Sequence, residues 1–283
     1  MAAKRQQGIH KRPNPLLVSL GALVIVVFFG FPYALMFITS LKTRLEVTDI
    51  PPVYFPASPQ FSNYLTVWSS EVNPAASLLS TVVIAMGATV LVLIVATPAA
   101  YYVARFRFPG RLVFMLLVLI TQMLQPTVLA VGLYQEFRGW KGYAVWGALI
   151  LINAAFNLSF AIWIMQAFFA SVPKEIDEAA LIDGLGRLQT MFKISLPLVW
   201  PGIVTAIVFV FVNSWNEYAA ALILVQKQEL QPLTVSMPRF LGLYIQDWQY
   251  LFTVALIAIV PVIILFSIIE KRLIGGLTAG AGK

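Results

Sequence analysis

Residues 171–202 read SVPKEIDEAALIDGLGRLQTMFKISLPLVWPG, a stretch with its own helical grammar set between two long apolar runs. Pro173 suits a first helical turn, and Glu175, Asp177 and Glu178 put negative charge where the N-terminal end of the helix dipole favours it. Ile176, Ala179, Ala180 and Asp183 recur at three- and four-residue steps along one side of that helix. Gly184 can adopt the left-handed conformation that ends a helix. Arg187 to Ile194 form a second short helix, and Pro197 and Pro201 bracket the lead-in to the next apolar run. The spacing predicts a helix-turn-helix elbow projecting from whatever the apolar runs build.

Those runs predict a membrane bundle. Of 283 residues, 60% are hydrophobic and only 11% charged, far more apolar than a soluble domain. Six stretches reach the roughly 20 helical residues that a hydrocarbon core requires: 16–41, 77–104, 112–134, 143–170, 198–225 and 250–269. The expected fold is therefore all-α, a polytopic membrane protein with six transmembrane helices. It divides into a basic tail at 1–15, one transmembrane bundle at 16–270 carrying the elbow at 171–201, and a C-terminal tail at 271–283. Lys4, Arg5, Lys11 and Arg12 precede the first run as in a signal peptide, but the run is longer than a signal core and no small-x-small site follows it. It is read as a retained span.

Basic loops are held in the cytoplasm, so the Lys and Arg positions orient the bundle. With the N-terminus inside, the inner segments hold Lys4, Arg5, Lys11, Arg12, Arg105, Arg107, Arg111, Lys174, Arg187, Lys193, Lys271, Arg272 and Lys283. Only Lys42, Arg44, Arg138, Lys141, Lys227 and Arg239 fall outside. Both termini and the elbow are then cytoplasmic, and the net charge of +7 reflects topology. No basic helix or aromatic-basic ladder stands apart from the loop ends, so nucleic acid is not an expected partner. The outer segment 42–76 carries Pro51, Pro52, Pro56, Pro59 and Pro74, which favour a turn-rich cap over a long helix. Residues 226–249 mix Pro232, Pro238, Tyr244 and Trp248 with few charges, as expected near a membrane interface or an extracytoplasmic partner.

Glu178, Ala179 and Ala180, then Gly184, then Ile194, Leu196 and Pro197 closely resemble the EAA loop of bacterial ABC importer permeases, whose pattern is EAA, three residues, G, nine residues, I-x-LP. Every fixed position and spacing agrees, where a stray interfacial loop would match few of them. Three further stretches are similar to the sugar-importer branch related to the maltose permease and its shorter partner subunit: YYVARFRFPG at 101–110, SWNEY at 214–218 and the ending GLTAGAGK. Gly282 stands where that branch usually has Val. The resemblance implies that the first elbow helix seats in a cleft of a cytoplasmic ATPase dimer, with Ala179 and Ala180 permitting close approach, Glu178 a charged anchor and Asp183 on the same side. It also implies a second homologous permease subunit and an extracytoplasmic sugar-binding protein. ATP and magnesium belong to the partner ATPase, and a bacterial plasma (inner) membrane supplies the lipid.

The chain's own chemistry is sparse. A Walker-type loop needs Gly where Leu277 stands, so no ATP hydrolysis is expected here. Without cysteine and with His10 as its single histidine, it offers no metal cluster or catalytic triad, and no cofactor is expected in this subunit. Polar residues within spans are informative because a polar group facing lipid is costly. On a continuous helix Asn213, Asn216 and Glu217 fall within an arc of about 100 degrees, with Tyr218 beside them. Asn153 and Asn157 lie one turn apart, as do Gln122 and Gln125 near Pro126. Amides and aromatics such as Trp163 and Tyr218 suit uncharged polyols, yet the same amides can lock helices together. Two rivals remain: an importer of a non-sugar solute, and an ion-gradient carrier with Glu217 as its coupling site.

Overall fold

The computed structural model describes residues 15–123, 129–242 and 246–278. Its helices in chain order are α1 (Pro15–Ser40), α2 (Arg44–Thr48), α3 (Asn63–Thr66), α4 (Pro74–Arg105), α5 (Arg111–Thr121), α6 (Ala130–Phe137) and α7 (Ala144–Ser171). They continue with α8 (Lys174–Ile182), α9 (Arg187–Thr190), α10 (Leu196–Leu198), α11 (Trp200–Trp215), α12 (Ala219–Leu224), α13 (Leu233–Ser236) and α14 (Trp248–Thr278). Among the described residues no strand forms, only an antiparallel bridge between Leu241 and Gln246. The all-α expectation holds.

The core is the α4–α7 pair with α11 packed against both. Ala88, Ala96, Ala100, Ala161 and Ala206 are fully buried along these helices, and small residues let backbones approach closely, which is how apolar helices associate without a hydrophobic driving force. Larger Met165, Phe169 and Val210 fill the space between them. α1 packs chiefly against α14, meets the cap at Ser40, and is exposed along most of its length.

Among the described residues four helical stretches are long and apolar enough to cross a membrane: Val18–Ser40, Pro74–Arg105, Ala144–Ser171 and Trp248–Ile269. The other two expected spans differ in form. The run at 112–134 holds α5 and α6 as separate helices, and residues 124–128 between them, with Gln125 and Pro126, lie outside the described ones. The run at 198–225 is interrupted twice: Arg187–Leu198 meets Trp200–Trp215 at 82°, and α11 ends at Trp215 before α12 begins at Ala219. The basic tail, Tyr244 and the residues after Thr278 also lie outside the described residues.

The proline-rich cap is ordered by side chains. Thr43 and Glu46 form a reciprocal capping box at α2, with Thr43 N donating to Glu46 Oε2 at 2.8 Å, while Ala57 N donates to Glu46 Oε1 at 2.8 Å. These backbone donors, that of Thr43 foremost, hold the Glu46 carboxyl below its ordinary pKa of 4.5. Asn63 Nδ2 donates to Ser40 O and Lys42 O, closing the cap onto the end of α1. Residues 226–242 fold back on the same end of the bundle, where Trp146 Nε1 donates to Leu230 O and Leu233 N donates to Thr81 Oγ1.

Candidate coupling elbow and polar path

The elbow forms as its sequence predicts, with shorter second-helix geometry. Pro173 caps α8 in an extended conformation, and α8 ends at Ile182 before Gly184, whose φ of +87° requires glycine or strain. Gly184 N donates to Leu181 O and Leu185 N to Ala180 O, closing the reversal. α9 covers only Arg187–Thr190, and Met191–Ser195 is a π-helical turn running into α10. Glu178, Ala179, Asp183, Gly184 and Pro197 are exposed, Ile194 and Leu196 half-buried, and Ala180 is buried. Ala180 therefore faces inward, away from the side it was expected to share with Ala179. Ile182, Leu188 and Phe192 are also exposed, giving the elbow apolar side chains on its outer surface.

Behind that surface lies a residue the sequence reading used only as a dipole charge. Asp177 is buried and accepts from Tyr101 Oη at 3.0 Å and Ser195 Oγ at 2.7 Å. Arg105 Nε sits 2.8 Å from Asp177 Oδ2 as an ionic contact, and Arg105 Nη1 donates to Val172 O at 2.7 Å. The Tyr101 ring packs edge-on against Phe169 of α7, and Arg187 lies over the Phe106 ring. Tyr101 and Arg105 belong to the YYVARFRFPG stretch, so two separately noticed motifs meet at one carboxylate. No local pattern announces a contact 76 positions apart in the chain.

The polar residues of the bundle separate into two groups. Asn153 Nδ2 donates to Leu149 O, Asn157 Nδ2 to Asn153 O, and Asn213 Nδ2 to Asn157 Oδ1 at 3.1 Å, a ladder that ties α11 to α7. Glu217 sits in the break after α11, where its carboxylate accepts from Ala220 N at 2.7 Å and Ala221 N at 3.1 Å and so caps α12. Thr234 Oγ1 donates to Glu217 O and pins the break to α13. The shared arc of Asn213, Asn216 and Glu217 presumed a continuous helix, which the break removes. Asn216 and Tyr218 instead line an open cavity of about 700 Å³ with Tyr33, Trp215, Thr234 and Met237. Gln122 is exposed just after α5, and Trp163 is half-exposed on α7 away from that cavity. A second, more polar cleft of about 660 Å³ opens between Trp68–Asn73 and Lys227–Glu229 with Arg239.

Residues 96–277 match the family described as "Binding-protein-dependent transport system inner membrane component". A sulfoquinovosyl glycerol transport system permease of Agrobacterium fabrum is 31% identical over 264 residues, 93% of this chain and 92% of that protein. A trehalose/maltose transport system permease of Thermococcus litoralis is 29% identical over 273 residues, 95% of this chain and 96% of that protein. The fold is similar to a chain in the crystal structure of a bacterial ABC transporter involved in the import of the acidic polysaccharide alginate, with a TM-score of 0.74 at 21% identity, covering 94% of this chain and 99% of that one.

Proposed function

This chain belongs to the binding-protein-dependent transport system inner membrane components, and on that premise we propose that it is the carbohydrate permease subunit of an ATP-driven importer, forming half of the pathway for an oligosaccharide or related polyol. Six spans cross a bacterial plasma membrane, with the broken α5–α6 and α11–α12 segments as the third and fifth and both termini cytoplasmic. A second homologous permease supplies the other half. An ATPase dimer on the cytoplasmic side binds ATP with magnesium, and a sugar-binding protein delivers solute from outside.

The observation that carries this reading is the elbow. Its outer face offers Glu178, Ala179, Ile182 and Leu188 to a partner, while its inner face is fastened to the bundle through Asp177. A loop built only to connect two spans has no need of a rigid, partly apolar exposed face. Alternating access requires that nucleotide-driven closure reach the spans, and such a face is suited to receive it. The sugar assignment rests on the relatives' names and on the cavity at Asn216 and Tyr218, which pairs an amide with aromatic rings as polyol recognition favours.

The ion-gradient carrier is disfavoured by Glu217, whose carboxylate is committed to two backbone N–H groups. Affinity purification of the tagged chain from native membranes tests the proposal. An ATPase, a second permease and a sugar-binding protein in the eluate support it; a chain that transports alone and without ATP removes it. Uptake competed by phosphate, peptide or amino acid, and not by sugars, would move the substrate class.

A further inference from the structure

Resting on the importer reading, we infer that Asp177, Tyr101, Arg105 and Ser195 are positioning residues that fasten the elbow to α4, so that nucleotide-driven motion enters the bundle through the second span as well as through the fifth. By chain connectivity alone the elbow has two routes into the bundle, back to α7 through Val172 and Pro173 and on to α11 across a π-helical turn and an 82° bend, and neither is a route to α4. The Asp177 carboxylate offers a direct one. It joins α8 to the last turn of α4 through Arg105 and Tyr101, and to the returning limb through Ser195, while Arg105 also holds Val172 at the elbow's start.

The geometry is suited to transmitting displacement. The Arg105 and Asp177 side chains are 5% and 10% exposed, so water screens their attraction little, and each carboxylate oxygen has a directed partner. α4 has 32 residues, about 48 Å at 1.5 Å per residue, and it packs along both α7 and α11. A shift applied at Arg105 is therefore carried along the central helix of the core. Tyr101 against Phe169 adds a contact that brings α7 into the same body.

The chain has no cysteine, so labels can be placed at will. Spin labels at Tyr102→Cys on α4 and Glu175→Cys on α8, both exposed positions, read the distance across the junction in the assembled complex. The expected wild-type result is one narrow distance that is the same without nucleotide and with ATP–magnesium. In Asp177→Ala the distribution broadens and ATP shifts it, because α8 moves while α4 stays, and ATP hydrolysis continues. Asp177→Glu, which keeps a carboxylate, restores narrowness that a purely space-filling role would not. If Asp177→Ala fails to assemble, Tyr101→Phe and Ser195→Ala each remove one donor and decide by the same readout. An assembled Asp177→Ala complex with the wild-type distance and no ATP response overturns the inference, as does a wild-type distance that changes with ATP. A wild-type chain that purifies without any ATPase instead refutes the importer reading. The nucleotide-free widths of wild type and Asp177→Ala then still decide whether the carboxylate joins the two helices.

Discussion

Replacing Gly202 by alanine tests whether α11 is seated on α7 as closely as its small residues imply. A Cβ at Gly202 would stand 2.3 Å from Phe168 Cγ, 2.5 Å from Cδ2 and 2.7 Å from Cβ. Carbon atoms make good contact at about 3.5–4.0 Å, so clearance of about 1 Å must be found at all three. Phe168 Cβ is fixed to the α7 backbone and no rotamer moves it, so the helices must part or α11 must shift. Gly87 provides the control, since its Cβ would meet Ile150 Cδ1 at 2.6 Å and Cγ1 at 3.0 Å, the far end of a side chain that can turn away. Alanine brings up to about 1 kcal/mol of helix propensity in a helix interior such as that of Gly87, and less in the first turn of α11. Overpacking a core typically costs about 1–3 kcal/mol. The net expectation is a loss of about 1–3 kcal/mol for Gly202→Ala and near neutrality for Gly87→Ala. The assay is the unfolding midpoint of the purified variants measured side by side in one detergent. A Gly202→Ala chain as stable as wild type, or more stable than Gly87→Ala, would refute the close seating.

Three further outcomes are expected. Gly184→Val puts a β-branched residue at a φ of +87°, where a left-handed conformation costs about 1–2 kcal/mol or more, and should lower ATP-driven uptake in proteoliposomes while leaving membrane insertion intact; unchanged uptake would remove the elbow from the mechanism. Glu217→Ala should uncap α12 at about 0.5–2 kcal/mol, the usual worth of a lost cap, whereas Glu217→Gln keeps an acceptor and should retain ATP-driven transport; abolition by Gln alone would revive the ion-coupled carrier. The Glu46 carboxyl has a lowered folded pKa, so its contribution is complete above the ordinary value of 4.5 and is lost as pH falls through the lowered one. Amide exchange at Thr43 and Ala57 should therefore rise in that acidic window, and in Glu46→Gln the rise should be absent.

The membrane helices were legible because a bilayer imposes one condition, about 20 apolar residues, that composition alone can meet. Among the described residues four of the six expected runs fall in single long apolar helices. The fifth run satisfies the same hydropathy yet breaks after Trp215, and the cause is a side chain competing for backbone donors. Glu217 takes the N–H groups of Ala220 and Ala221, so α12 starts afresh instead of continuing α11. Hydropathy registers Glu217 as one charge in an apolar window and carries no sign of where its oxygens point. The elbow was legible for the opposite reason, since Pro173, the acidic first turn and Gly184 act on their own neighbours within a few residues.

The polar residues show how far such local reading extends toward a site. In an apolar surround every amide and carboxylate must find a partner, so polarity within a span marks a need for a hydrogen bond and not yet a substrate. Asn153, Asn157, Asn213 and Glu217 meet that need within the chain, through Leu149 O, Asn153 O, Asn157 Oδ1 and two backbone N–H groups. Asn216 Nδ2 also has a partner within the chain, Val212 O, and Asn216 and Tyr218 both line the cavity between α11, α13 and α14. Asn216 still closes the last turn of α11, its N–H donating to Val212 O, so only Tyr218 lies past the break. The carboxylate that looked most like a binding group is thus the cap of α12, and its two neighbours are the ones that line the cavity.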